Sequence, residues 1–228
     1  MSSRPPSDRA FWLQWVGANL LGEFLGLGLV GAIGYLTVLV FGEPTSLAYT
    51  LVFAVLAIGL GAAEGMIVGY AQTMVLRRRL PQLRSWISAT VVGAVAAWTL
   101  GVLPSTVMSF IGAASHESSA EISDALQLLL AAPMGMVAGA ILGFPQWLVL
   151  RRYVSRAGWW LPANALAWGC GMPLVFFAAG AMPAGSALSM AVVAAGSLAA
   201  TGAVVGAVHG GFLVWLLASA NGARNTTW

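Results

Sequence analysis

Charge is the scarcest thing in this chain. Only 7% of its 228 residues are charged, and no lysine is present among the ten basic residues. A water-soluble domain carries about 25% charged residues, so no soluble surface can be assembled from this composition. One cysteine, Cys170, excludes an internal disulfide and a cysteine metal cluster. It stands inside an apolar segment and is expected as a small buried hydrophobe. Only two histidines occur, His116 and His209, too few and too far apart for a metal-binding spacing. No glycine-rich phosphate loop and no nucleophile with a base beside it can be found, so neither a catalytic residue nor a metal site is expected, and the chain does not read as an enzyme. The net charge of +3 would suit nucleic acid, but no basic stripe interleaved with aromatics accompanies it. Nucleic acid is therefore not an expected partner.

What fills the chain is apolar: 59% hydrophobic residues, with a mean hydropathy of +0.86. Such a composition needs a lipid bilayer as its solvent. Six spans fit, at 11–41, 47–76, 85–111, 126–150, 158–181 and 187–218. The first is far longer than the core of a secretion signal and reads as a retained span. Pro44 closes span one, and Thr45 or Ser46 is placed to cap span two. Ser118 and Glu121 have the spacing of a capping box ahead of span four. Pro133 and Pro145 are expected to bend span four, while Pro162 falls harmlessly in the first turn of span five. The expected fold is all-α, a single transmembrane domain over 1–228.

The arginines give an orientation. Arg4 and Arg9 precede span one, Arg77, Arg78, Arg79 and Arg84 follow span two, Arg151, Arg152 and Arg156 follow span four, and Arg224 follows span six. All ten fall on one side, and the opposite connections carry Glu43, Glu117, Glu121 and Asp124. The positive-inside rule makes the arginine side cytoplasmic, with both termini there and the inner membrane as the expected location. Arginines 77–79 are read as topology signals.

A repeat runs through these spans. Gly65-x-x-x-Gly69-x-x-Gln72 ends in Arg77-Arg78, and Gly139-x-x-x-Gly143-x-x-Gln146 ends in Arg151-Arg152. A third copy, Gly202-x-x-x-Gly206-x-x-His209, lacks the arginines. The odd spans match as well: Trp15 with Asn19, Trp86 with Thr90, Trp160 with Asn164. The unit is a two-helix hairpin, over about 11–79, 85–152 and 158–218. Three parallel hairpins predict a pseudo-threefold six-helix bundle. Residues i, i+4 and i+7 share a helix face. Each even span thus shows a glycine row, which lets backbones approach closely in lipid, ending in an amide or imidazole. Asn19, Gln72, Thr90, Gln146, Asn164 and His209 fall at similar depth and predict a polar layer in the cytoplasmic half. The ten tryptophans, most of them near span ends, are expected to anchor in the headgroup zone.

The segment Gly143-x-x-Gln146-Trp147-Leu148-x-Leu150-Arg151-Arg152, followed by Gly158-Trp159-Trp160, resembles repeated segments of a group of uncharacterised small multi-span bacterial membrane proteins. The resemblance covers roughly residues 60–170; the first copy departs from it, with Thr73 where Trp147 stands. It implies a multi-pass membrane fold and assigns a role to no residue.

Glu23 and Glu64 stand out because each lies inside an apolar span, where a carboxylate is costly. Each is about twelve residues from the arginine side, hence ~18 Å deep. On neighbouring antiparallel helices they would be level. Two carboxyls at one depth can share a proton, hold a cation or face water. Neither acid recurs in the other hairpins, where Ala94 and Trp168, and Ala138 and Thr201, take its place. The leading expectation is a small carrier or channel for a proton, cation or cationic small solute. Glu23 and Glu64 would bind the charge, and Asn19, Gln72, Gln146, Asn164 and His209 would line the cytoplasmic half. The alternative is a non-catalytic accessory subunit of a larger membrane complex, contacting pigment, haem or quinone, with His209 as an axial ligand. The expected partners are the lipid bilayer and, through small-residue rows such as Gly22 to Gly26, a second copy or a larger complex. The sequence names no cofactor.

Overall fold

A computed structural model describes residues 6–44, 46–115, 124–180 and 186–224. Six helices make up almost all of it: α1 Asp8–Phe41, α2 Leu47–Leu76, α3 Trp86–Ser115, α4 Asp124–Leu150, α5 Trp160–Gly180 and α6 Ala187–Arg224. All six are long and apolar enough to cross a membrane. The protein is a multi-pass, all-α membrane protein. α1 has 34 residues and α6 has 38. At 1.5 Å per residue they measure about 51 and 57 Å, well over the ~30 Å hydrocarbon core, so tilt or extension beyond lipid follows.

The ends of the helices obey local chemistry. Ser7 caps α1 by accepting from the Ala10 N–H at 3.3 Å, and Ser46 caps α2 by accepting from Tyr49 N–H at 3.3 Å. Gly42 ends α1 at φ 77°, a conformation in which a side chain would be strained. α4 continues through Pro133 and Pro145. The Ser118–Glu121 capping box and His116 lie outside the described residues. α5 begins after a single 3-10 turn, Ala157–Trp159, and Pro162 sits in its first turn.

Each helix packs on its chain neighbours, and α6 returns against α1 to close a ring. Short connections make neighbours antiparallel, which brings all the described arginines to one end. Here the loops fold inward. Leu80 and Leu83 between α2 and α3, and Val154 and Ala157 between α4 and α5, are buried against Leu76, Leu150, Leu213 and Leu216. Tyr153 Oη donates to the Gln82 carbonyl at 3.1 Å and ties the two loops together. Arg79 does more than signal topology. Its guanidinium donates to Asp8 Oδ1 at 2.8 Å and to the Pro6 carbonyl at 2.6 Å, and lies 4.9 Å over the Phe11 ring. It clasps the start of the chain to the end of α2.

Burial is one-sided. Among the described residues, none in 27–60, 95–107, 125–130, 172–177 or 186–200 is buried. The arginine half is a packed bundle; in the far half packing is looser, with Ala131 and Gly135 of α4 as buried residues there, Gly135 against α5. Cys170 corrects one expectation: it lies exposed on α5 rather than in the core. An apolar span that faces lipid has no need to hide a thiol from its surroundings.

Candidate functional site: a carboxyl pair above a tryptophan and amide layer

The glycine rows decide which helices touch most closely. A Cβ at Gly69 would press on Ile87 and Thr90 of α3, at Gly143 on Asn164 of α5, and at Gly206 on Val16 and Asn19 of α1. Each even helix therefore lays its glycines against the next odd helix, around the closed ring. Close approach of backbones is what positions the polar side chains at the end of each row.

Those side chains meet at the centre of the arginine half. Trp86 Nε1 donates to Gln72 Oε1 at 2.9 Å, Trp160 Nε1 to Gln146 Oε1 at 3.0 Å, and Trp15 Nε1 to His209 Nδ1 at 2.9 Å. Gln72 Nε2 in turn donates to Asn19 Oδ1 and Gln146 Nε2 to Thr90 Oγ1, both at 2.9 Å. Asn19, Thr90 and Asn164 each donate back to the carbonyl four residues earlier, that of Trp15, Trp86 and Trp160. Trp160 stands edge-to-face with Trp15 and Trp86, with ring centroids 6.2 and 5.8 Å apart. His209 completes the group at 5.6 Å from Trp15 and 5.4 Å from Trp160. Its Nδ1 accepts, so its proton is on Nε2. No bond joins His209 to Asn164, so the third corner is weaker than the other two.

This layer departs from expectation in one respect. Trp15, Trp86 and Trp160 are 0–1% exposed; they are core residues and do not anchor in the headgroup zone. The reason is the buried acceptor beside each, Gln72 for Trp86, Gln146 for Trp160 and His209 for Trp15. An indole N–H is satisfied as well by a buried glutamine as by a headgroup, and burial then gains the whole ring. Trp159 and Trp215, at the same end, are exposed and pair with each other. The layer leaves no water path: Asn19, Gln72, Thr90, Gln146, Asn164 and His209 are all at most 3% exposed. His209, held between two indoles, also has no flat space beside it for a macrocycle.

The acidic pair lies next to the layer, on the side of the far half. Glu23 and Glu64 are 3% and 5% exposed, and they are neighbours across the α1–α2 contact, each the other's charged neighbour. A carboxylate has no donor of its own, so a hydrogen bond between the two requires a shared proton. Gly26 permits the meeting, since a Cβ there would come 2.9 Å from Glu64 Cγ. Gly202 of α6 backs the other acid, with a Cβ position 3.0 Å from Glu23 Cβ. Trp98 of α3 donates its Nε1 to Glu64 Oε2 at 2.6 Å, and its ring lies on Gly61. Sequence reasoning passed over Trp98, treating it as one anchor among ten. Its place inside a span, at a depth close to the acids, was the available signal.

One acceptor in this group is left over. Glu23 Oε2 has no hydrogen-bond partner, and neither does the buried hydroxyl of Thr201, the residue before Gly202. Such groups are rare in folded interiors because each costs about 1–3 kcal/mol. Among the described residues no group of three His, Cys, Asp or Glu could hold a metal ion. The candidate site is thus Glu23, Glu64 and Trp98, with Thr201 on the adjoining turn. Comparisons with protein-family models, curated proteins and solved structures find no match for this chain.

Proposed function

We propose that the protein is a small membrane carrier or channel whose charge-binding site is the Glu23–Glu64 pair, taking a proton, a cation or a cationic small solute. The observation that carries this reading is the burial of two neighbouring carboxyls, one oxygen of which receives no donor from the protein. A purely structural role would be met more cheaply by uncharged residues, as at the equivalent positions Ala94, Trp168, Ala138 and Thr201. The closed layer of Trp15, Trp86, Trp160, Gln72, Gln146 and His209 favours a carrier over a permanently open pore. The site is reached from the far half, and passage to the arginine end requires that layer to part.

The same reading takes the chain as three parallel two-helix hairpins about a pseudo-threefold axis. The matching glycine contacts and the matching bonds from indole to amide or imidazole support it. It sets the arginine end in the cytoplasm, by the positive-inside rule, and the protein in the inner membrane of a bacterium. The resemblance to small multi-span bacterial proteins belongs to this proposal too.

Reconstitution tests the function. Liposomes with wild type should take up protons or a cation under a gradient, and Glu64→Gln should reduce that flux at least tenfold. Equal, background-level fluxes for both proteins would remove the carrier reading.

A specific observation favours a second reading, the accessory subunit. Gly31 and Gly34 of α1, Gly59 of α2, Gly101 of α3 and Gly196 of α6 have open space beside them, next to exposed Leu36, Leu39 and Val40. Such faces suit helices of another copy or another subunit. A mass measurement in mild detergent that finds only monomer would speak against it.

A further inference from the structure

The hydrogen-bond inventory of the acidic pair specifies its ligand more closely than its charge does. Two carboxyls offer four oxygens. Trp98 Nε1 engages Glu64 Oε2, no donor from the protein reaches Glu23 Oε2, and any bond between the carboxyls needs a shared proton. Among the described residues Trp98 is the one donor the protein supplies to these four oxygens.

A hard metal ion fits this poorly. Calcium and magnesium take six or more oxygens in a shell of about 2.0–2.6 Å. Here the helix carbonyls are engaged in their own ladders, and no third acid or imidazole joins the pair. A primary ammonium needs only two or three acceptors and brings three donors. It can also reach the pair. Beyond Gly26 and Gly61, which are buried beside the pair, α1 and α2 contain no buried described residue toward the far end, whereas the tryptophan and amide layer blocks the other direction.

We infer that the Glu23–Glu64 pair is an exchange site, in which a small primary ammonium binds between the carboxyls as their shared proton leaves. This rests on the proposed binding role of the pair. The exchange balances in charge. The bound state before is one carboxylic acid and one carboxylate; the state after is two carboxylates and one ammonium, with the proton passed to water at the far end. Net charge at the site is the same before and after the proton is exported and the cation admitted. No other charge intervenes among the described residues: α3 brings Trp98 to the pair, α6 brings Gly202, and each acid finds only the other as a charged neighbour. Two like-charged acids at contact cannot both ionise without a cation between them. Proton and ammonium must therefore compete.

The test uses the full-length protein in detergent with propylammonium as the probe. Titration calorimetry in two buffers of different ionisation enthalpy counts protons released. Exchange predicts about one proton released per ammonium bound, and an affinity that rises about tenfold per pH unit while the pair holds its proton. Glu23→Gln should abolish proton release and weaken binding at least tenfold, with its helicity and melting temperature recorded as a check on folding. Should that variant fail to fold, Glu64→Gln serves in the same assay. Binding without proton release, or with a pH-independent affinity, overturns the exchange and leaves the binding role standing. Sodium binding with proton release, but no response to propylammonium, overturns the ligand class. No response to propylammonium, sodium or potassium, together with background flux in liposomes, removes the underlying reading as well.

Discussion

The two halves of this bundle are built from the same six helices, yet they are different materials. In the arginine half every helix contributes buried residues, and indoles, amides and folded-in loops lock the helices together. In the far half no described residue from 27 to 60, or from 186 to 200, is buried. The difference lies in where the small and the polar residues are. Gly65, Gly69, Gly139, Gly143, Gly202 and Gly206 bring backbones together, and the polar side chains beyond them bond across the gap. Lipid supplies little hydrophobic drive for helix association, so helices without such devices have weak reason to pack. Glu23 and Glu64 stand where one material gives way to the other. The pair has the packed layer on one side and loosely packed helices on the other.

The comparison breaks most readily at the floor. Trp160 is fully buried, bonds Gln146 and touches Trp15, Trp86 and His209. Trp160→Ala should cost about 3–5 kcal/mol in detergent unfolding, from the cavity and the orphaned amide. Leu39→Ala, at 66% exposure in the far half of α1, should change stability by less than about 0.5 kcal/mol. Similar losses for both would show that the far half is packed in detergent as firmly as the floor.

Glycines sharpen the contrast at smaller cost. A Cβ at Gly139 would fall 2.8 Å from Trp168 Cβ and press on the Asn164 carbonyl. Gly139→Ala should therefore destabilise by about 1–3 kcal/mol. Gly34 has nothing near it, and Gly34→Ala should be neutral or stabilise by up to about 1 kcal/mol through helix propensity. Melting temperatures of the two variants decide. A destabilised Gly34→Ala would mean that this face is covered, which would support the second reading of function.

Much of this was legible in the residues. Six spans follow from apolar run length, and the depth of Glu23 and Glu64 follows from counting turns, because both depend on helix geometry alone. That Gly69 and Gly206 face a close neighbour follows from the 4-residue row, but which helix each meets, α3 and α1, does not. What could not be read was where indoles go. A tryptophan near a span end suits either a headgroup or a buried amide, and only the partner across the helix gap decides between them. Trp15, Trp86 and Trp160 found glutamines and a histidine; Trp159 and Trp215 did not. Leu80, Leu83 and Val154 were hidden for a similar reason. Their burial depends on how loops fold over an end, which no periodicity records. Cys170 shows the limit of hydropathy in lipid, where an apolar residue is equally at home inside or out.

His209 offers the finest test of the layer. Gln72 and Gln146 each do two things: the carbonyl oxygen accepts from a tryptophan, and the amide nitrogen donates to Asn19 or Thr90. His209 performs the first and lacks the second toward Asn164. If the three corners are equivalent, His209→Gln should keep the acceptor for Trp15 and add the missing donor, giving a change between zero and about 1 kcal/mol of added stability. His209→Leu should lose about 1–3 kcal/mol instead, because the Trp15 N–H would be buried without a partner. Thermal melts of the two variants in one detergent separate the cases. Equal destabilisation by both would mean that the imidazole is there for something a glutamine cannot do, and the threefold equivalence would fail at its third corner.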